Sequence, residues 1–425
     1  MGWLCIALVV VWFFLLYATL FVGDWREEDI RLFSYLATRD EYVAAFAGLA
    51  YEPPPKRNDI SDAAPEFTTL RALFTAWPPD DTSSDAWLSS PCHPSKGHAC
   101  ALPRFDFQSA SDMEQALRHR AVERPFVVFN VPELDAAISS AFTLPALLRA
   151  FGSTPRIVEK SADNQFLYYS THTHTSLEGK LRHAAWSPPQ TELPLTFSRF
   201  MRLAEEAEAA AEERQWRRAS RESDAAVRYP PLHYLTVNAG EGGHTPWLTS
   251  ALPFFSQPRQ DSLFIVDRAG YKGINCRYGM RGVAAAAHYD GQRNFVAMLR
   301  GRKRYVLLPP SECAGLSLLP KGHPSARHTD FDWNHLGHAK SEAEAARADP
   351  ALAAKQAAAL ASRATEYVLA MGEVLYLPSY WFHYIVSQDA SAQCNARSGA
   401  SADVEARAAI KRCMGRERYA EGGGE

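Results

Sequence analysis

No surplus of either charge sign marks this chain. Lys and Arg number 45, Asp and Glu 48, and the formal net charge is -3, with a pI of about 6.5. That balance gives no electrostatic footprint for a nucleic-acid partner. Cysteine is sparse and scattered, 7 in 425 residues, which argues against a small scaffold held by bridges in place of a core. There is no internal repeat and no Asn-x-Ser/Thr sequon. What the chain does have is 47% hydrophobic residues and 27 prolines. This is a globular profile rich in turns, long enough for one large domain or two smaller ones.

Trp3 to Val22 is a run of 20 residues without a charge, the length needed to span a bilayer. It lacks the basic start and small-residue cleavage site of a signal peptide. A retained single-pass anchor is therefore expected over residues 1–23. The Met-Gly start does not complete a myristoylation motif, because residue 6 is Ile. A membrane of the endoplasmic reticulum or secretory pathway is the expected location, with the side of the remaining chain undetermined. Arg26, Arg31 and Arg39 follow the run and no basic residue precedes it, which favours the cytosol by basic-residue counting. Cys92-His-Pro-Ser-Lys-Gly-His-Ala-Cys100 looks instead like a disulfide-closed loop of the lumenal kind. A zinc site from Cys92, His93, His98 and Cys100, or two unpaired cysteines, are the alternatives.

Residues 24–100 read as a juxtamembrane helix followed by a Pro-, Asp- and Ser-rich linker, and 402–425 as a tail. Between them, 101–401 alternates short strands with turns. Ser111–Val122 has the spacing of an amphipathic helix, Pro125–Phe129 reads as a buried strand, and Leu193–Glu222 as a long helix with a solvated charged face. Phe166–Ser170, Leu263–Val266 and Ile274–Tyr278 read as further strands. Thr171-His-Thr-His-Thr is polar and lacks a third ligand, so it reads as a loop. The Ala-rich stretch 341–365 reads as a helical insertion.

The chemistry concentrates in His288–Pro310. His288-x-Asp290 places an imidazole and a carboxylate on one side of an extended strand. Phe295–Leu299 and Tyr305–Leu308 are apolar, and Gly301 between them suits a two-residue hairpin turn. With Arg300 opposite Lys303, the residues His288, Asp290, Asn294, Lys303 and Tyr305 would share a face. Further on, Val374–Pro378 is an apolar strand, Ser379–Phe382 a bulky corner, and His383 follows. Two His and one carboxylate with open positions are the signature of non-haem Fe(II) oxygenases. Three protein ligands leave three positions on an octahedral iron, two for a 2-oxo acid and one for O₂. The far carboxylate of such an acid needs a cation, and Lys303 suits that role as a compact ammonium.

The text His-Tyr-Asp-x-Gln-x-Asn-Phe (288–295), then Gly301-x-Lys303-Arg304 and Pro309-Pro310, resembles the JmjC-domain, cupin-type 2-oxoglutarate oxygenases. His323-Pro324, Asp330-Phe331-Asp332 and Val374-Leu375-Tyr376-x-Pro378-x-Tyr380-Trp381-x-His383 resemble them too, as do Phe166–Tyr169 and Tyr234-Leu235. The similarity is greatest to the asparaginyl hydroxylases and covers about residues 100–400. With the many short strands, it implies a mainly β fold with flanking α, a double-stranded β-helix or jelly roll. It implies Fe(II) on His288, Asp290 and His383, with 2-oxoglutarate and O₂ as co-substrates. Tyr234, Asn294 and Asn395 would help Lys303 hold the co-substrate or the metal's surroundings. A protein substrate is implied, with hydroxylation expected. Lysine demethylation and a non-catalytic metal-binding cupin module are the alternatives, and a homodimer stays open. One departure stands out: position 285 is Ala where the hydroxylases carry a Thr that contacts 2-oxoglutarate.

Overall fold

A computed structural model describes residues 67–414 apart from 80, 83–85, 94, 96–99, 171–185, 220–230, 239–245, 257–262, 335, 338 and 401–403. The expected anchor, the juxtamembrane helix, Cys5, His98, the Thr171–Thr175 loop and most of the tail lie outside the described residues. Among those described, no single helix is long and apolar enough to cross a membrane.

Two sheets face each other. One runs β1 (Thr68–Thr69), β12 (Arg363–Ala370), β11 (Arg302–Leu308), β14 (Phe382–Ser387), β9 (Ala284–Tyr289) and β5 (Gln165–Phe166). The other runs β2 (Arg104–Asp106), β3 (Phe126–Phe129), β13 (Val374–Leu377), β10 (Asn294–Arg300), β15 (Ser391–Ser398), β8 (Tyr271–Gly279), β7 (Leu232–Asn238), β4 (Arg156–Ser161) and β6 (Gln190–Leu195). From β8 onward the chain crosses between the sheets at every connection except β11 to β12. This is the winding of a jelly roll. Helices Ala110–Ala121, Pro132–Ser140 and Phe197–Ala219 pack on the larger sheet.

The crossing explains why the strands are apolar on both faces. In β10, Phe295, Ala297 and Leu299 face the helices, while Val296 and Met298 face the opposite sheet. Each large side chain buried this way contributes about 1.5–3 kcal/mol. The expected hairpin at Gly301 is not formed. β10 already has β13 and β15 as neighbours, and β11 has β12 and β14, so neither has a free edge for the other. Gly301 turns the corner between the two sheets at φ +66, and a Cβ there would meet the Ala390 carbonyl at 2.6 Å. Only glycine fits such a corner comfortably.

Cross-strand partners fix the faces. Lys303, Tyr305 and Leu307 oppose Ser387, Ile385 and His383, and this row looks across to the larger sheet. Arg304, Val306 and Leu308 look outward, where Leu70, Leu73, Phe74, Pro78, Cys92 and Cys100 cover them. The segment that supplies these residues is therefore part of the domain and not a free linker. β1 extends β12, and helix Leu70–Ala76, capped by Thr69 on Ala72, buries Leu70, Leu73 and Phe74. The Arg304 guanidinium stacks 4.0 Å over the Trp77 ring and bonds Glu366 at 2.7 Å. Both side chains of the pair are fully buried, and Ser90 also donates to Glu366.

Several sequence boundaries shift. The long helix begins at Phe197, since Leu193–Leu195 belong to β6. Leu263–Val266 forms bends and no strand, and β5 ends at Phe166. The insertion is two helices, Ala339–Ala348 and Pro350–Ala361, with Arg363–Thr365 already in β12. Helix Val404–Cys413 buries Ala406 and Ile410, so the start of the expected tail is docked. All six described cysteines are bridged: Cys92–Cys100, Cys276–Cys394 and Cys313–Cys413. The partners of two bridges stand 118 and 100 residues apart, which is why scattered cysteines concealed them. The first bridge removes both the zinc alternative and the unpaired one at Cys92 and Cys100.

Candidate metal centre

His288 near the end of β9 and His383 near the start of β14 are directly opposite each other. Their Nε2 atoms are 3.1 Å apart. Each Nδ1 meets a backbone carbonyl two residues earlier, Ala286 at 2.7 Å and Trp381 at 3.0 Å. A carbonyl only accepts, so each Nδ1 carries the proton and both Nε2 lone pairs face the same point. Two lone pairs that close repel unless a shared proton or a metal ion lies between them, and the site offers both imidazoles to such an ion. Burial lowers the pKa of both rings, and for His288 the neighbouring His383 and His328 add to the effect. Both shifts favour the neutral imidazole, the form in which histidine binds a metal.

Asp290 follows in the turn that leaves β9. One ligand atom from each of His288, Asp290 and His383 falls within a set spanning at most 4.8 Å. The corner before His383 ties into this turn. Tyr380 sits at φ +69, a region disfavoured for a bulky residue, and its N–H donates to the Asp290 carbonyl at 2.7 Å. Two neutral His and one carboxylate fit Fe(II) by donor chemistry.

The Asp290 carboxylate also meets two guanidiniums. Arg327 bonds Oδ1 at 2.8 Å, and Arg397 lies 2.8 Å from Oδ2, an ion pair without hydrogen-bond alignment. Burial alone would raise this carboxyl, but the guanidiniums of Arg397 and Arg327 oppose it, and the carboxyl is held well below the usual range. The side chains of Arg327 and Arg397 are 31% and 30% exposed, which places them on the open side of the centre. His328 stacks on His288 with centroids 4.9 Å apart and fixes that ring's plane. Burial lowers the pKa of His328 to about 3.

Lys303 is 1% exposed between the sheets. Among the described residues it has no carboxylate within ion-pairing distance. Its Nζ donates to the Tyr234 hydroxyl at 3.4 Å. Burial, then the charge of Arg277, lowers its pKa to about 7. An unpaired buried cation is costly unless an anion joins it, so this ammonium fits the far carboxylate of a 2-oxo acid. Tyr234 is buried as well, and burial raises its hydroxyl to about 12. Asn395 donates to Asn294 at 2.9 Å, and both are buried. Ala285 opposes Ile385 in the row that leads to Ser387 and Lys303. Its side chain therefore brings no hydroxyl to that inward row.

The structure thus brings His288, Asp290 and His383 together, Lys303 with Tyr234, and Asn294 with Asn395. Sequence reasoning missed Arg327, His328, Arg397 and Arg277. Arg397 was in principle legible, being two residues after Asn395 and so on the same face of a strand. The Cupin-like domain family matches residues 145–397 of this chain. Lysine-specific demethylase JMJ31 of Arabidopsis thaliana is 24% identical over 144 residues, which cover 34% of this chain and 24% of that protein's length.

Proposed function

The chain belongs to the cupin-like domain family, and from that premise we propose that it is an Fe(II)- and 2-oxoglutarate-dependent oxygenase that hydroxylates a protein side chain. The observation that carries this is a pair of facing imidazoles clustered with a carboxylate, and a buried ammonium further along the same inward row of the smaller sheet. A metal-binding module without turnover has no use for that ammonium. When bound, Fe(II) and 2-oxoglutarate couple decarboxylation of the oxo acid by O₂ to insertion of one oxygen atom into a substrate C–H bond. His288, Asp290 and His383 would hold the metal on one side and leave the other open. Ala286 and Trp381 carbonyls keep both Nε2 lone pairs aimed at it, and His328 stops the His288 ring from turning. Lys303 and Tyr234 would draw the far carboxylate deep between the sheets, which orients the oxo acid's other end toward the metal.

The resemblance to the asparaginyl hydroxylase known as factor inhibiting HIF favours hydroxylation. Charge supports it too. Arg327 and Arg397 flank the open side, and a cationic methyl-lysine would enter against two guanidiniums. Likeness to JMJ31 favours the second reading, lysine demethylation. Mass spectrometry of captured proteins, incubated with and without 2-oxoglutarate, separates the two. Gain of one oxygen supports hydroxylation, loss of a methyl group supports demethylation, and no change with either co-substrate state sinks both.

We read the chain as tethered by Trp3–Val22 with this domain on an oxidising, lumenal side. The three bridges support that side against the basic-residue count. Cleavage of the domain by protease added to intact microsomes would refute it.

A further inference from the structure

The inward row of β8 carries a second cation that the reading above does not use. Arg277 is directly opposite Thr236 of β7 and Gln393 of β15, and Gly279, two residues on, is opposite Tyr234. Opposed residues and residues two apart share a face, so Arg277 projects to the same side as Tyr234. That side is the interior: the Tyr234 hydroxyl reaches Lys303, and Gln393 accepts from Tyr305 at 2.5 Å. The inward position at residue 279 has no side chain. A Cβ there would meet Ser387 Oγ at 2.9 Å and the Tyr234 ring at 3.2 Å, so the glycine lets ring and strand close around Lys303.

Nη1 of Arg277 is buried without a hydrogen-bond partner among the described residues. An acid within its electrostatic reach is Glu159, opposite Tyr234 on β4. No ion pair within 4.0 Å joins them among the described residues, and burial raises the Glu159 carboxyl, which weakens its hold. A buried guanidinium nitrogen without an acceptor is a standing cost unless a ligand supplies one. Arg277 is opposite Gln393, which Tyr305 reaches, and Tyr305 stands between Lys303 and Leu307, the residue opposite His383, so Arg277 lies at a level between Lys303 and the His383 end. Ala285, on the facing sheet, offers no donor.

We propose that Arg277 is a specificity-determining residue that shares the far carboxylate of a 2-oxo dicarboxylate with Lys303, supplying the donor that Ala285 lacks. This rests on the co-substrate reading above. A carboxylate has two oxygens, and an ammonium and a planar fork can each take one.

The test uses the full chain loaded with Mn(II) and no O₂, so that binding is read without turnover. Calorimetry compares 2-oxoglutarate with 2-oxopentanoate, which has the same chain length and oxo acid end but no far carboxylate. Wild type prefers 2-oxoglutarate. Arg277→Leu reduces that preference about 10- to 100-fold and leaves 2-oxopentanoate affinity within about twofold, while Arg277→Lys restores most of it. An unchanged preference in Arg277→Leu overturns the proposal. Equal loss of both ligands, which would mark Arg277 as scaffold, also overturns it. A wild-type chain that shows no preference at all would sink the co-substrate reading instead.

Discussion

Replacing Lys303 tests the pocket most directly. The ammonium is 1% exposed, and Tyr234 is its one hydrogen-bond partner among the described residues. Removing one member of a buried charge pair costs about 3–5 kcal/mol, because the other is left uncompensated. At about 1.4 kcal/mol per decade, Lys303→Met raises the 2-oxoglutarate Kd by about two to three and a half decades. Metal content should stay equal, since no ligand atom is touched. Lys303→Arg keeps the charge but should fail as well, because its longer planar fork cannot occupy the space of a point charge beside Tyr234. The pH dependence has a definite sign. Lys303 titrates at about 7 in the fold against 10.5 ordinarily. Between those values the unfolded chain binds the extra proton, so the ligand-free fold gains stability as pH rises through that window. Binding of the dianion needs the charged form, so its affinity falls as pH climbs above 7. Calorimetry at equal Mn(II) loading, at three pH values, measures both effects. Equal affinities in wild type and Lys303→Met, with no pH trend, would refute the placement of the far carboxylate.

Other perturbations follow from the same geometry. Asp290→Ala removes the anionic ligand and leaves Arg327 and Arg397 facing the site. Iron affinity should fall more than ~100-fold, measured as metal content after anaerobic gel filtration. Glu366→Gln leaves the Arg304 guanidinium buried without its counter-charge and should destabilise by about 3–5 kcal/mol, read by urea denaturation. A double Cys313→Ser, Cys413→Ser chain loses the bridge that holds helix Val404–Cys413. It should lose about 2–4 kcal/mol while metal content is unchanged.

The cluster of His288, Asp290 and His383 was legible because each stands beside a strong local signal: His288 and Asp290 one residue apart, and His383 after an apolar strand and a corner. Lys303 was placed inside by an argument whose premise fails, since the hairpin does not exist. Its conclusion survives because a tight corner and a tight hairpin both preserve the alternation of faces. Arg327 and His328 were not legible. They come from an irregular segment after β11, where no periodicity says which way a side chain points. The segment 67–100 looked like a linker because its prolines and short helices carry no long period. What it covers, Arg304 and Glu366, lies more than 200 residues away in the chain.

The corner at Gly301 carries one more consequence. Asn294 and Lys303 both point inward, and each lies in a strand whose alternate residues point out. The interval between them therefore has a phase as well as a length. A one-residue insertion anywhere from Phe295 to Arg302 would leave every residue type in place and every strand apolar. Yet it would send either the Lys303 row or the Asn294 row to the wrong side of its sheet. An insertion of two residues would restore the phase and only lengthen the corner. In this stretch, spelling can drift further than counting can.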